Sequence, residues 1–185
     1  MAARRETDRK RAAAVRLLVL DVDGVLTDGS IYLDAVGAES KRFHVRDGFG
    51  LQIWRELGFH TAIITGRNVP AVAHRARELK ISHVHQGVSD KCAALDKVLA
   101  SLGLTADEAA FLGDDWPDLR VMAACGYPMA VADAEEPVKQ AAKFVTDRVG
   151  GNGAVRDAVE HLLAAKGLMD RALAMYDAQT TEGRA

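Results

Sequence analysis

Two aspartates separated by a single residue, Asp21 and Asp23, close an apolar run in the stretch LLVLDVDGVLTD, Leu17 to Asp28. An extended backbone through Val22 sets both carboxylates on one side of the chain, because side chains alternate along a strand. Like charges that close repel each other. The pair therefore points to a hard cation such as Mg²⁺, held by carboxylate and carbonyl oxygens, or to one acid that carries a proton. Gly24 follows directly and allows a sharp turn and a close approach of ligand to backbone. Further residues with chemical potential are Thr65 and Gly66 in IITGR, Lys91 after Ser89 and Asp90, and Asp114 and Asp115 in GDDWPD. Taken singly, each has an ordinary structural reading: an Asp-Gly turn, a hydroxyl capping a turn, a solvated first-turn lysine. As a set they supply what phosphoryl transfer requires, namely a nucleophile, carboxylates for a metal, and donors with a cation around the equatorial oxygens.

The elements that must position these residues follow from the apolar pattern. Leu17 to Leu20 is apolar on both faces, as expected of a central strand in a helix-covered parallel sheet. Ser30 to Leu33 and Lys41 to Val45 are β-prone runs around the turn material Asp34 to Gly37, which predicts a β-hairpin insert over 28–46. Leu51, Trp54, Arg55 and Leu57 then predict a helix ending near Gly58. A regular alternation sets in beyond it. Strands are expected at His60 to Ile64, His83 to His85, Ala109 to Leu112, Met129 to Val131 and, at the edge, Phe144 to Val145. Helices are expected at Pro70 to Leu79, after the N-cap types Ser89 and Asp90, at Trp116 to Ala124, at Val138 to Ala142, and along the stripe Val155, Val159, Leu162 and Leu163. Such alternation predicts an α/β fold, a doubly wound parallel sheet of Rossmann-like type with helices on both faces. Asp21 and Asp23, Thr65 and Gly66, and Asp114 and Asp115 then end three strands at one edge, with Lys91 opening a helix beside them; the carboxyl edge is where such sheets bind ligands.

The 185 residues suffice for one α/β domain with a full core and are too few for two, and 49% apolar content with 5% aromatics suits an Ala, Val and Leu-rich α/β protein. We divide the chain into a flexible basic leader over 1–14, a domain over 15–166, and a C-terminal helix or tail over 167–185. A net charge of −2 offers no basic field for nucleic acid, although a local positive pocket suits a small anion. The chain lacks the run of about 20 apolar residues that a membrane-spanning helix needs, so no membrane partner is expected. Cys92 and Cys125 lie outside CxxC or metal spacing, which is consistent with reduced thiols in a cytoplasmic protein. His83 and His85 share one strand face, but imidazole is a poor ligand for Mg²⁺ and no third ligand has matching spacing.

DVDGVLTD, ITGR, SDK and GDDWPD, in that order, resemble the four motifs of the haloacid dehalogenase-like phosphotransferase superfamily, and the resemblance covers nearly the whole chain from Leu17. More narrowly LDVDGVLTDG, FHVRDGFG, AIITGR, VADA and GGNGAVR resemble the 3-deoxy-D-manno-octulosonate 8-phosphate (KDO 8-phosphate) phosphatases, a capless branch that uses Mg²⁺, forms homotetramers and serves lipopolysaccharide biosynthesis. The resemblance implies Asp21 as nucleophile, Asp23 as general acid and base, and Mg²⁺ held by the Asp21 carboxylate, the Asp23 backbone carbonyl and Asp114. It implies phosphate binding by Thr65, the Gly66 amide and Lys91, with Asp115 supporting metal waters or Lys91. Asp118 has an ordinary reading as a first-turn acid that suits the helix dipole.

A sugar acid carries a carboxylate besides its phosphate, which an arginine fork suits; Arg67 beside Gly66 is the first choice, and Arg46 is the second, with a salt bridge to Asp47 as its alternative. His44 reads equally as a residue lining the site or a solvated strand histidine, and the GGNG run equally as a segment reaching a site or a plain loop. Phosphatases of nonulosonic acid phosphates share these motifs. Receiver-type phospho-acceptors and idle oligomerisation domains are rivals from other classes, and Asp23, two residues after the nucleophile, argues for a hydrolase over a stable phospho-acceptor. Ile31, Tyr32, Leu33 and Phe43 give the hairpin more apolar surface than a two-stranded ribbon can bury, which predicts packing on another subunit.

Overall fold

The structure is a computed structural model and describes residues 2–177. Its centre is β1, Leu17–Leu20, whose four side chains are wholly buried. On one side β1 pairs in parallel with β4, His60–Ile64, which pairs with β5, His83–His85. The chain then crosses to the other side, where β6, Ala109–Gly113, pairs with β1 and is followed by β7, Tyr127–Ala130, and β8, Phe144–Val145. The resulting order is β5-β4-β1-β6-β7-β8. The direction of winding reverses at β1, so the crevice beyond the carboxyl ends of β1, β4 and β6 is the switch point where such sheets bind ligands.

Helices cover both faces. On one, α2, Val45–Glu56, packs on α7, Ala154–Ala165, and α7 on α1, Ala2–Ala14. On the other, α4, Lys91–Leu102, meets α5, Leu119–Ala124, which meets α6, Glu136–Ala141. The remaining helices are α3, Pro70–Glu78, and α8, Met169–Ala174. Trp54, Phe111, Leu17, Leu18 and Leu20 are among the largest fully buried side chains, each contributing roughly 1.5–3 kcal/mol by leaving water. Among the described residues no helix is long and apolar enough to cross a membrane.

Three elements differ from the pattern-based expectation. The leader, expected as a flexible segment, is helical: Ala, Arg, Lys and Glu favour helix, and its end is anchored by buried Ala12 and Val15 and by Lys166 Nζ, which donates to the Ala13 carbonyl at 2.7 Å. The hairpin exists but is shorter, pairing β2, Tyr32–Leu33, with β3, Glu39–Ser40. Its second strand falls at Glu39–Ser40 instead of 41–45: residues 41–44 are irregular, and Val45 begins α2, which His44 caps by accepting the Arg46 amide at 3.3 Å. Phe43 packs partly against the core, with the Arg75 guanidinium 5.8 Å from its ring centre, and is not part of the hairpin's free apolar surface. Finally, Pro117 makes Trp116–Asp118 a 3-10 turn before α5. The segment 178–185 of the expected C-terminal tail lies outside the described residues.

Candidate active site

Immediately past β1 the chain winds up on one carbonyl. Val22 O accepts the amides of Val25, Leu26 and Thr27 at 3.2, 3.0 and 3.0 Å and the Thr27 hydroxyl at 3.2 Å. Asp21 still belongs to the sheet, its amide donating to Leu112 O of β6 at 3.2 Å, while Asp23 already stands in the turn. Gly24 has φ +83°, and a Cβ there would overlap the Asp114 carboxylate. Only glycine lets the turn after β1 come so close to the end of β6.

Asp21, Asp23, Thr65, Gly66, Arg67, Lys91, Asp114 and Asp115 all line one open cleft of about 330 Å³ at the carboxyl edge of the sheet. Arg46 does not line it. Its expected salt-bridge partner Asp47 is turned elsewhere, accepting the backbone amides of Gly153 and Arg156 at 3.2 and 3.0 Å. Asp115 sits at the mouth and caps Trp116 by accepting its amide at 2.7 Å.

The floor of the cleft concentrates charge. Carboxylate oxygens of Asp21, Asp114 and Asp118 lie within 4.8 Å of one another. Lys91, delivered by the first turn of α4 where Asp90 caps the helix, donates to Asp21 at 2.8 Å and to Asp118 at 2.6 Å. Burial lowers the affinity of Lys91 for its proton, yet Asp21 and Asp118 outweigh it and the net displacement is upward. Burial raises Asp21 to about 6, with the Asp118 charge adding to it against the pull of Lys91. Asp114 rises further, to about 8, through burial and then through the charges of Asp21, Asp118 and Asp115. A single lysine does not neutralise these carboxylates, and among the described residues Asp114 has no cationic partner of its own. Oxygen-only donors with an excess of negative charge suit a hard divalent cation.

Asp118 is the residue whose role was missed. Its two oxygens are both committed, one to Lys91 and the other to the Asp114 amide at 3.0 Å. It therefore orients Lys91, one of the two parts expected of Asp115, and the Asp114 backbone, with both oxygens on protein donors. The signal was its spacing: the 3-10 turn at Pro117 folds Asp118 back onto the strand end four residues earlier.

Lys41 and Glu39 were also missed. Lys41, its side chain fully buried, forms an ion pair with Asp23 and another with Glu39 at 2.8 Å. Arg67 bonds Glu39 at 2.5 Å and lies 3.8 Å from Asp23. The two aspartates of the motif thus have separate cations, Lys91 for Asp21 and Lys41 with Arg67 for Asp23. No alternation of apolar and polar residues could reveal this pairing, because it depends on how the hairpin folds back. His83 and His85 form no ligand cluster with other residues among those described.

Comparison with known proteins converges on one group. Residues 81–158 match the haloacid dehalogenase-like hydrolase family. The chain is 43% identical over 163 residues to the 3-deoxy-D-manno-octulosonate 8-phosphate phosphatase of Yersinia pestis, covering 88% of this chain and 87% of that protein. The Moraxella catarrhalis phosphatase of the same name, crystallised with magnesium ion, phosphate ion and KDO, superimposes with a TM-score of 0.89 at 39% identity, over 92% of this chain and 98% of that one. A cobalt-bound form of the Haemophilus influenzae deoxy-D-mannose-octulosonate 8-phosphate phosphatase gives 0.85 at 36% identity, over 90% and 99% of the two chains.

Proposed function

The chain belongs to the 3-deoxy-D-manno-octulosonate 8-phosphate phosphatase family of haloacid dehalogenase-like hydrolases, and from that premise we propose that it hydrolyses KDO 8-phosphate to KDO and phosphate with Mg²⁺ as cofactor. The observation that carries the reading is the convergence of the Asp21 and Asp114 carboxylates, with Lys91 2.8 Å from Asp21, at the floor of a cleft that also holds Asp23 and Thr65.

In this reading the phosphate enters with its oxygens against Thr65, the Gly66 amide and Lys91. Asp21 attacks phosphorus; a bond forms from its carboxylate oxygen as the bond to the sugar oxygen breaks, and Asp23 gives that oxygen a proton. The product sugar leaves, and Asp21 carries the phosphoryl group as an acyl phosphate. Water then attacks phosphorus, Asp23 takes its proton, and the Asp21 carboxylate and inorganic phosphate are released. Asp21, the Asp23 carbonyl and Asp114 would hold Mg²⁺, which would supply charge neutralisation at the phosphate oxygens. Lys91 balances the charge that Asp21 and the phosphoryl group share, and Asp118 keeps Lys91 and Asp114 in place. Arg67 at the rim is our candidate for the sugar carboxylate.

The reaction belongs to one domain over residues 15–166, in a cytoplasmic enzyme of lipopolysaccharide biosynthesis. Assembly as a homotetramer through the hairpin is supported by Ile31, Leu33 and Val36, which expose 54%, 64% and 88% of their surface; a two-stranded ribbon with such a face is not stable alone. The test is phosphate release from KDO 8-phosphate with and without Mg²⁺, in the wild type and in Asp21→Asn. Metal-dependent turnover that the substitution abolishes is expected. Residual activity above about 1% in Asp21→Asn would remove Asp21 as nucleophile, since its amide is nearly isosteric but does not attack phosphorus.

A further inference from the structure

Two stretches singled out in the sequence, VRDGFG and GGNGAVR, contribute no residue to the chemistry above, yet they meet each other and the turn after β1. Asp47, in the first turn of α2, is 1% exposed and forms no ion pair among the described residues; its two oxygens accept the amides of Gly153 and Arg156 at 3.2 and 3.0 Å. It thereby caps α7, whose own N-cap residue is a glycine with φ +109° and no side chain to do so. The helices are close enough for this because Gly50 faces Arg156, where a Cβ would come within 3.0 Å of the arginine side chain.

Capping α7 fixes the chain that enters it. Gly151 donates to Val25 O at 2.9 Å, and a Cβ at Gly150 would overlap Gly24 O. The Gly150 amide is bound in turn by Asp133 at 2.9 Å. The glycine loop therefore lies flat on the backbone of residues 24–27, the same segment whose amides converge on Val22 O and whose first residue follows Asp23. Burial raises the affinity of the Asp47 carboxyl for a proton, against the pull of the two amides, which marks a group held in place at a cost.

We infer that Asp47 is a positioning residue for the phosphatase reaction: by capping α7 it holds the glycine loop against the turn after β1, and so fixes where Asp23 stands relative to Asp21. The inference rests on the proposed function for its kinetic consequence and on the backbone contacts alone for its structural one. Thr65, Gly66, Lys91 and Arg67 lie on other elements, so loss of the clamp acts on the chemical step and leaves substrate binding.

Asp47→Ala removes the clamp, and Gly150→Ala pries the loop off Gly24 with Asp47 intact. Both are expected to lower kcat for KDO 8-phosphate by about tenfold to a hundredfold, the scale set by displacements near 1 Å at a reacting group, while KM changes by less than about threefold. Both are also expected to speed amide hydrogen exchange at Val25, Leu26 and Thr27 by about tenfold or more, a readout that needs no activity. A folded Asp47→Ala protein with unchanged kcat, a rise in KM alone, or unaltered exchange at these amides would overturn the inference; if Asp47→Ala does not fold, Gly150→Ala decides by the same criteria. Wild-type protein without turnover would refute the proposed function, and the exchange data would still judge the clamp.

Discussion

Replacing Asp114 by asparagine should make the metal-free protein more stable at alkaline pH while destroying its capacity to hold the cation. In the fold the Asp114 proton is retained up to about 8 against an ordinary value of 3.8, through burial and then the charges of Asp21, Asp118 and Asp115. The folded state thus binds a proton that the unfolded chain has released between those two values. Its contribution to stability is fully present below about pH 4, is lost as pH rises, and is gone once the pH passes the folded value. At about 1.4 kcal/mol per pH unit the full effect is about 5–6 kcal/mol, and because neighbouring Asp21 and Asp118 share and relax the strain, about 2–5 kcal/mol is expected to survive. For a chain of this size that corresponds to about 5–15 °C in Tm. The assay is calorimetric unfolding in chelator across about pH 5 to 9. Wild-type Tm should fall steeply while that of Asp114→Asn, which has no proton to lose, falls less, so the curves separate at the alkaline end. Adding Mg²⁺ should reverse the order, because only the wild type retains the ligand. Parallel curves in chelator, or equal gains from Mg²⁺, would show that Asp114 is not the proton-loaded member of the cluster.

Three further outcomes are expected. Asp118→Ala leaves Lys91 with one acceptor and the Asp114 amide with none, and should lower kcat by about a hundredfold and stability by about 3 kcal/mol, read by steady-state kinetics and urea unfolding; near-wild-type kcat would return Asp118 to a first-turn acid. Arg67→Gln should raise KM for the sugar-acid phosphate about tenfold, through loss of a charge-assisted bond, and leave KM for a sugar phosphate without a carboxylate unchanged; an equal effect on both substrates would place Arg67 on the phosphate instead. Ile31→Asp should dissociate the proposed homotetramer in light scattering and lower activity at the same protein concentrations, whereas an active monomer would show the site to be complete within one chain.

The periodic elements and the strand-end residues were legible because they obey local rules. An all-apolar run such as Leu17 to Leu20 can only be a buried strand or helix segment, and its length and the Asp-Gly turn after it select the strand. Alternation of strands and helices then sets Asp21, Thr65 and Asp114 at one edge without knowledge of any contact. The hairpin was readable as an insert, but its register was not. The strand pairs at Glu39–Ser40, residues 41–44 are irregular, and His44 caps α2 from Val45, a placement that propensity does not rank. The docking of the leader was hidden for a related reason: it carries no apolar stripe, and α1 docks by Ala12 and Val15 near its end and by Lys166 close to a helix far along the chain.

By itself the sequence determined the sheet, its active edge and the residue types that phosphoryl transfer needs, because strand period and turn chemistry act over a few residues. Tertiary structure alone decided which carboxylate is paired and which is left proton-loaded. Lys91 lies 27 residues from Asp118 and 70 from Asp21, and Asp47 lies 106 from the glycine it binds. Separations of that length are set by the packing of whole elements. The displacement of an ionisable group likewise comes from burial and neighbouring charge, which exist only once those elements have met.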